Sequence, residues 1–333
     1  MVDLDAFVTV HGGEWSRLDD LSRRRRLSGE EVDELVSLYQ RAATHLSVVR
    51  SSAPDANLAA SLSTTVARAR AAVNGAGEPF YRELARFFAV SFPAAVWRAR
   101  WAVAFSAGFT AAVALIAGFW VAGNREAQLA IFGSDVAIRR LVENDFAGYY
   151  SQYSAAGFGA EVWTNNAWLA AQCVAFGISG VVVIYVLLQN ALNIGLIGGV
   201  MAANHRLGLF FSLITPHGLL ELTAVFVAAG AGLMLFWAWV SPGPRGRGQA
   251  LAEEGRSMIT VALGLVVVLL VSGIIESFVT PSGLPTWARI GIGGCAWVGF
   301  LTYVTIFGRR AAARGETGDL TRELAGDVAP VAG

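Results

Sequence analysis

The chain has 333 residues, of which 55% are hydrophobic and only 15% charged, against about 25% charged in an average soluble domain. The formal net charge is zero, and every basic residue is an arginine. That balance excludes general nucleic-acid binding through a basic surface.

The charge deficit is uneven: residues 1–100 hold thirteen of the twenty-five basic residues, and long uncharged runs begin only at Trp101. Leu4, Phe7, Val8, His11, Trp15 and Leu18 recur at helical spacing, which predicts an amphipathic helix over 3–22. Arg23, Arg24, Arg25 and Arg26 close it as a solvated end rather than a headgroup site. Ser28 and Glu31 form a capping box, and Val32, Leu35, Tyr39, Ala42, Leu46 and Val49 then make a packing seam. Pro54 and Asp55 break and recap the chain. Leu58, Leu62, Val66, Ala69 and Val73 predict a third helix, and Asn74 to Gly77 a turn. Residues 1–77 are therefore expected to be a cytosolic helical hairpin or bundle. Asp3, Asp5 and His11 stand where a signal peptide would be basic and then apolar, so the N-terminus is expected to stay in the cytosol.

Residues 78–100 mix Phe80, Tyr81, Phe87, Phe88, Phe92 and Trp97 with Arg82, Arg86, Arg98 and Arg100. Rings among arginines suit the headgroup layer, so an interfacial amphipathic helix bent at Pro93 is expected. The transmembrane domain is assigned to 101–308. Its first span, 101–122, reaches about 33 Å as a helix, enough for a hydrocarbon core of about 30 Å. The 123–166 segment is net acidic and is expected to be an outer loop. Its aromatic part, Phe146, Tyr149, Tyr150, Tyr153, Phe158 and Trp163, would lie on the outer surface. A second span is predicted at 167–188.

Residues 190–205 are apolar but short, and His205 and Arg206 interrupt them, which predicts a short or re-entrant span. Thr215 and Pro216 can start a helix over 216–240, and further spans are predicted at 257–280 and 286–308. Arginine-rich flanks precede Trp101, occupy 245–256 and follow 308, so the positive-inside rule favours six crossings with both termini cytoplasmic. The fold class is all-α: a polytopic helical membrane protein with about six spans and an N-terminal soluble helical segment. Residues 309–333 are expected to be a disordered cytosolic tail.

Several costly side chains collect toward the outer side of this topology. His217 and Glu221 are four apart, hence on one helix face; Glu276 ends the fifth span, His205 and Arg206 precede the fourth, and Arg289 opens the sixth. Three roles compete for this cluster: mutual neutralisation of the acids by Arg206 or Arg289, binding of a partner or small polar group, and metal chemistry. A His and a Glu at this spacing can both reach Zn²⁺, but a catalytic site needs about three protein ligands, and no HExxH helix is present. Nucleotide-binding and nucleophile-elbow motifs are absent too. Cys173 and Cys295 lie in apolar runs at no metal or redox spacing. The sequence thus assigns no catalytic residue, metal or cofactor.

The runs Asn190–Gly195, Thr215-Pro216-His217-Gly218-Leu219-Leu220-Glu221-Leu222, Gly230–Leu233 and Ile275–Ser282 together resemble the stage II sporulation protein M family of membrane proteins. Pro216, His217, Gly218 and Glu221 are the positions that match the family motif. The resemblance implies a scaffold or subunit of a cell-envelope complex in the plasma membrane, a non-enzymatic partner of peptidoglycan-remodelling proteins. Expected partners are the lipid bilayer and proteins in the envelope and cytosol; a homo-oligomer is left open. The alternatives are a transporter or channel-like protein with a His/Glu path, and an intramembrane metal-dependent enzyme.

Overall fold

The computed structural model describes residues 4–24, 27–52, 56–73, 80–146 and 155–319. Arg25 and Arg26, the turns expected at Pro54–Asp55 and Asn74–Gly77, the stretch Tyr149–Tyr153 and the tail from 320 lie outside the described residues. The chain divides into two units, Met1–Glu83 and Leu84–Gly333.

In the first unit, α1 (Leu4–Arg23), α2 (Gly29–Ser52) and α3 (Ala56–Val73) pack around Leu18, Leu21, Leu35, Leu38, Val49 and Leu62. The capping box forms as its residue types demand: Ser28 N–H donates to Glu31 Oε2 at 2.9 Å, and Glu31 N–H to Ser28 Oγ at 3.3 Å. Charge pairs stitch the helices outside the core. Arg17 grips Glu34 through two bonds, Arg41 reaches Glu14 at 2.8 Å, and Arg68 pairs with Asp19. Val32, expected in the seam, is 43% exposed, while Leu38 is buried.

The second unit opens with the end of α4 (Phe80–Arg86), a π-helical turn at Phe87–Ser91 and α5 (Phe92–Arg98). Phe92 to Val96 are buried. The Phe92 ring fills the space left by Gly264, and the Pro93 carbonyl lies against Gly308. Among the described residues five helices are long and apolar enough to cross a bilayer: α6 (Arg100–Gly123), and then four that follow two short helices and a longer one. The short ones are α7 (Arg125–Phe132) and α8 (Asp135–Arg140), and the longer one is α9 (Ala155–Ala175). The remaining spans are α10 (Gly180–Ala203), α11 (Leu207–Val240), α12 (Arg247–Ile274, extended by a π-helical turn at Ile275–Val279) and α13 (Thr286–Ala313). Among the described residues there is no strand. The architecture is that of an all-α polytopic membrane protein, and its outer face carries the apolar side chains a bilayer would cover: Ile116, Phe119, Val181, Leu263, Leu270 and Val298 are all exposed.

α11 is the central helix, packed against α6, α9, α10, α12 and α13. Small residues let backbones meet at its seams and at the α6–α10 seam. A Cβ on Gly195 would lie 2.5 Å from the Ala114 carbonyl oxygen, and one on Gly199 2.5 Å from that of Gly118. Gly232 bears in the same way on the Cys173 carbonyl.

Three details differ from the sequence-based expectation. The 167–188 span is interrupted at Phe176–Ser179, where Gly177 comes so close to Gly232 that a Cβ would sit 2.9 Å from its Cα. The chain therefore turns between α9 and α10. Consequently 190–203 is the second half of a full-length span rather than a short or re-entrant one. Pro216 lies inside α11 instead of starting it. Proline removes one backbone bond, and inside a membrane bundle neighbouring helices can absorb that loss. Gly293 of α13 leaves room for the Pro216 carbonyl, which a side chain there would overlap. At the C-terminal end α13 continues past Arg309 and Arg310 to Ala313, and Asp319 pairs with Arg256 at 2.6 Å.

Candidate functional site

One turn of α11 separates His217 from Glu221, so both project from one face. The end of α12 brings Glu276 to them. Its π-helical turn carries the i+5 bond from Thr280 N–H to the Ile275 carbonyl at 3.1 Å, a backbone irregularity that recurs at functional sites. One ligand-capable atom from each of His217, Glu221 and Glu276 lies within 4.8 Å of the others. All three residues are buried, Glu276 completely.

The surrounding contacts hold the three in place. His217 Nδ1 is 3.3 Å from Thr280 Oγ1, and its Nε2 is 3.6 Å from Glu276 Oε1. Ser272 Oγ donates to the His217 carbonyl at 3.1 Å, tying α12 to α11. Asn166 Nδ2 of α9 donates to Glu221 Oε2 at 2.6 Å. Against this order stands a deficit: Glu221 Oε1 and both oxygens of Glu276 have no hydrogen-bond partner. Nor does an arginine pair with either acid among the described residues. A buried carboxylate left uncompensated costs several kcal/mol, of order 3 or more.

The other sequence candidates go elsewhere. His205 adopts the left-handed conformation (φ 58°) that ends α10, and Arg206 N–H returns to the Met201 carbonyl at 2.8 Å, so both terminate a helix. They are exposed, and His217 lies about 15 Å further along α11 than Leu207. Arg289 braces the turn after α12, donating to the Thr280 carbonyl at 2.8 Å and to Thr286 Oγ1 at 3.2 Å. It touches the site only through Thr280. Gly218 and Pro216 are buried beside the triad. Sequence inspection missed Asn166, Ser272 and Thr280 as members. Ser272 and Thr280 fall four residues either side of Glu276, a spacing that singles out one helix face.

At the opposite end of α12, Arg98 clasps Glu254, which is 6% exposed, while Arg256 holds Asp319 through two bonds and Arg245 reaches Glu253 at 2.5 Å. From Glu254 to Glu276 is about 33 Å along the helix. That is about the thickness of a hydrocarbon core.

A second cluster lies in the first unit, where His11, Glu14 and His45 also converge. His11 and His45 rings are 4.0 Å apart, and Trp15 Nε1 donates to His45 Nδ1 at 3.2 Å. Burial and the neighbouring His11 push the His45 pKa below the usual histidine value. Glu14 is already engaged by Arg41 and His11. These contacts commit the polar groups to packing α1 against α2.

Residues 106–281, just over half of the chain, match the family described as Stage II sporulation protein M, and residues 5–75 match a domain of unknown function, DUF8413. An uncharacterised protein of Methanocaldococcus jannaschii is 28% identical over 115 residues, which cover 34% of this chain and 63% of that protein. The chain thus spans less than two thirds of the length of that relative. No solved structure matches.

Proposed function

The chain belongs to the stage II sporulation protein M family, and on that footing we propose that it is a scaffold subunit of a cell-envelope complex, not an enzyme. It sits in the plasma membrane with both termini in the cytosol. The observation that carries this proposal is the backbone-to-backbone interlock of its spans at Gly118, Gly195, Gly199, Gly232 and Gly293. Seams with no side chain to slide make a rigid frame on which other proteins can assemble, and they count against rocking one half of the bundle on the other, as many transporters do.

Parity supports the orientation if α9 is the sixth crossing. It is 21 residues long, about 31 Å, and packs on α11 and α12. With it, Arg98, Arg245, Arg256 and Arg309 fall on one side, where the positive-inside rule puts the cytosol. The net acidic described stretch 123–146 then faces outward to envelope partners, with peptidoglycan-remodelling proteins the class proposed, and the helical bundle of the first unit meets cytosolic proteins. Affinity purification of the tagged full chain from crosslinked membranes tests this. Stoichiometric co-purification of an envelope protein is expected; recovery of the chain alone under mild detergent would refute the scaffold role.

A further inference from the structure

We propose that His217, Glu221 and Glu276 form a binding site for one divalent transition-metal ion of the zinc class, clamping the centre of α11 to the end of α12. Three features of the cluster carry this. First, the donors converge: their ligand-capable atoms already lie within 4.8 Å of one another. A tetrahedral ion with bonds of about 2.0–2.2 Å needs its ligands about 3.3–3.5 Å apart. Rotamer adjustments of well under a full rotation close that difference.

Second, the buried carboxyl oxygens lack partners. Two carboxylates are buried side by side, three of their four oxygens have no hydrogen-bond partner, and no arginine pairs with them among the described residues. One dication would bond one oxygen of each carboxyl group and balance two carboxylates.

Third, an outer layer of contacts is already built. The Thr280 hydroxyl at 3.3 Å from His217 Nδ1 orients the ring and leaves Nε2 on the Glu276 side, while Asn166 holds one Glu221 oxygen and leaves the other for the ion. Metal-ligating histidines and carboxylates are held by such outer partners. The imidazole ligand favours zinc, iron, copper or nickel over calcium and magnesium, which prefer oxygen alone. The buried Cys173 and the exposed Cys295 stand outside the set. Three protein ligands leave a fourth position for water, as zinc sites with an open position do.

The test uses the full chain in lipid nanodiscs, stripped with chelator, reloaded with Zn²⁺ and washed, with metal counted by mass spectrometry. About one equivalent per chain is expected. Glu276→Gln and His217→Ala should weaken binding at least about tenfold, while His45→Ala should retain the ion. X-ray absorption of the loaded native chain should show nitrogen and oxygen neighbours at about 2.0–2.2 Å. Failure of the native chain to hold zinc would overturn the proposal. So would loss of the ion in His45→Ala with retention in Glu276→Gln, or sulfur neighbours at about 2.3 Å. The absorption spectrum decides the case even if a variant misfolds. Metal content and partner recovery are separate measurements, so this site and the scaffold role stand or fall independently.

Discussion

Adding one methyl group at Gly293 should weaken the membrane unit more than any exposed substitution. The new Cβ would overlap the Pro216 carbonyl oxygen, with the carbonyl carbon at 2.5 Å and the Pro216 Cα at 2.7 Å. Comfortable carbon–carbon contact begins at about 3.5 Å, so α13 and α11 must part by about 1 Å. The obstacle is backbone on both sides, and no side chain can swing away. Overpacking costs about 1–3 kcal/mol, and this site belongs at the upper end, about a hundredfold in the folding equilibrium. The control stands one residue on: a Cβ on Gly294 meets nothing within 4 Å. Gly294→Ala should therefore be neutral or gain about 0.5–1 kcal/mol from helix propensity. Both variants can be compared by thermal or SDS-induced unfolding of the full chain in one detergent. Equal stability for the two alanine variants would refute the interlock at Pro216, and with it the rigid frame inferred from such seams.

Breaking the clasp at the arginine layer is expected to be costly in a different way. Arg98→Ala leaves Glu254 buried without its guanidinium and should destabilise by about 3 kcal/mol, whereas removing both partners should recover most of that loss. Unfolding of the two variants measures the difference; an unrecovered double variant would sink the pairing account. In the first unit, the lowered pKa of His45 gives a pH dependence with a definite sign. Above about pH 6.5 His45 is neutral whether folded or unfolded; below it the unfolded chain binds the proton more readily, so stability falls toward the folded pKa. Protease resistance of the first unit should decline from about pH 7 to about pH 5, and His45→Gln should flatten the decline. A native profile already flat would contradict the buried, His11-flanked environment.

Much of the fold was legible because lipid imposes a coarse signal. Long apolar runs such as 101–122 and 286–308, the latter with Arg289 as its one charge, are long enough to span and lie in single helices here. The capping box at Ser28 and Glu31 was equally plain, since its two bonds are local. Where the prediction slipped, the deciding contact was distant in sequence. Nothing near Gly177 announces that Gly232 will press on it, and hydropathy runs straight through the resulting turn. Pro216 carries a strong local start signal, yet Gly293, far along the chain, makes room for it inside a longer helix.

The polar cluster shows the same division more sharply. The i, i+4 spacing of His217 and Glu221 places them together by helix geometry alone, and depth along α12 points to Glu276 at the same level. Arg206 sits about 15 Å back from His217, before the start of α11, and Arg289 reaches only Thr280 and Thr286. A hydropathy profile measures depth and says nothing about direction around the helix axis, so charge neutralisation by either arginine was a natural inference. Two backbone features decide otherwise. The left-handed turn at His205 uses the Arg206 backbone N–H to end α10 and leaves the residue exposed, and Arg289 donates to the Thr280 carbonyl. Both are conformational, and neither leaves a compositional trace. With neither arginine paired to them, Glu221 and Glu276 keep three unpartnered buried oxygens, a feature that only the folded chain reveals.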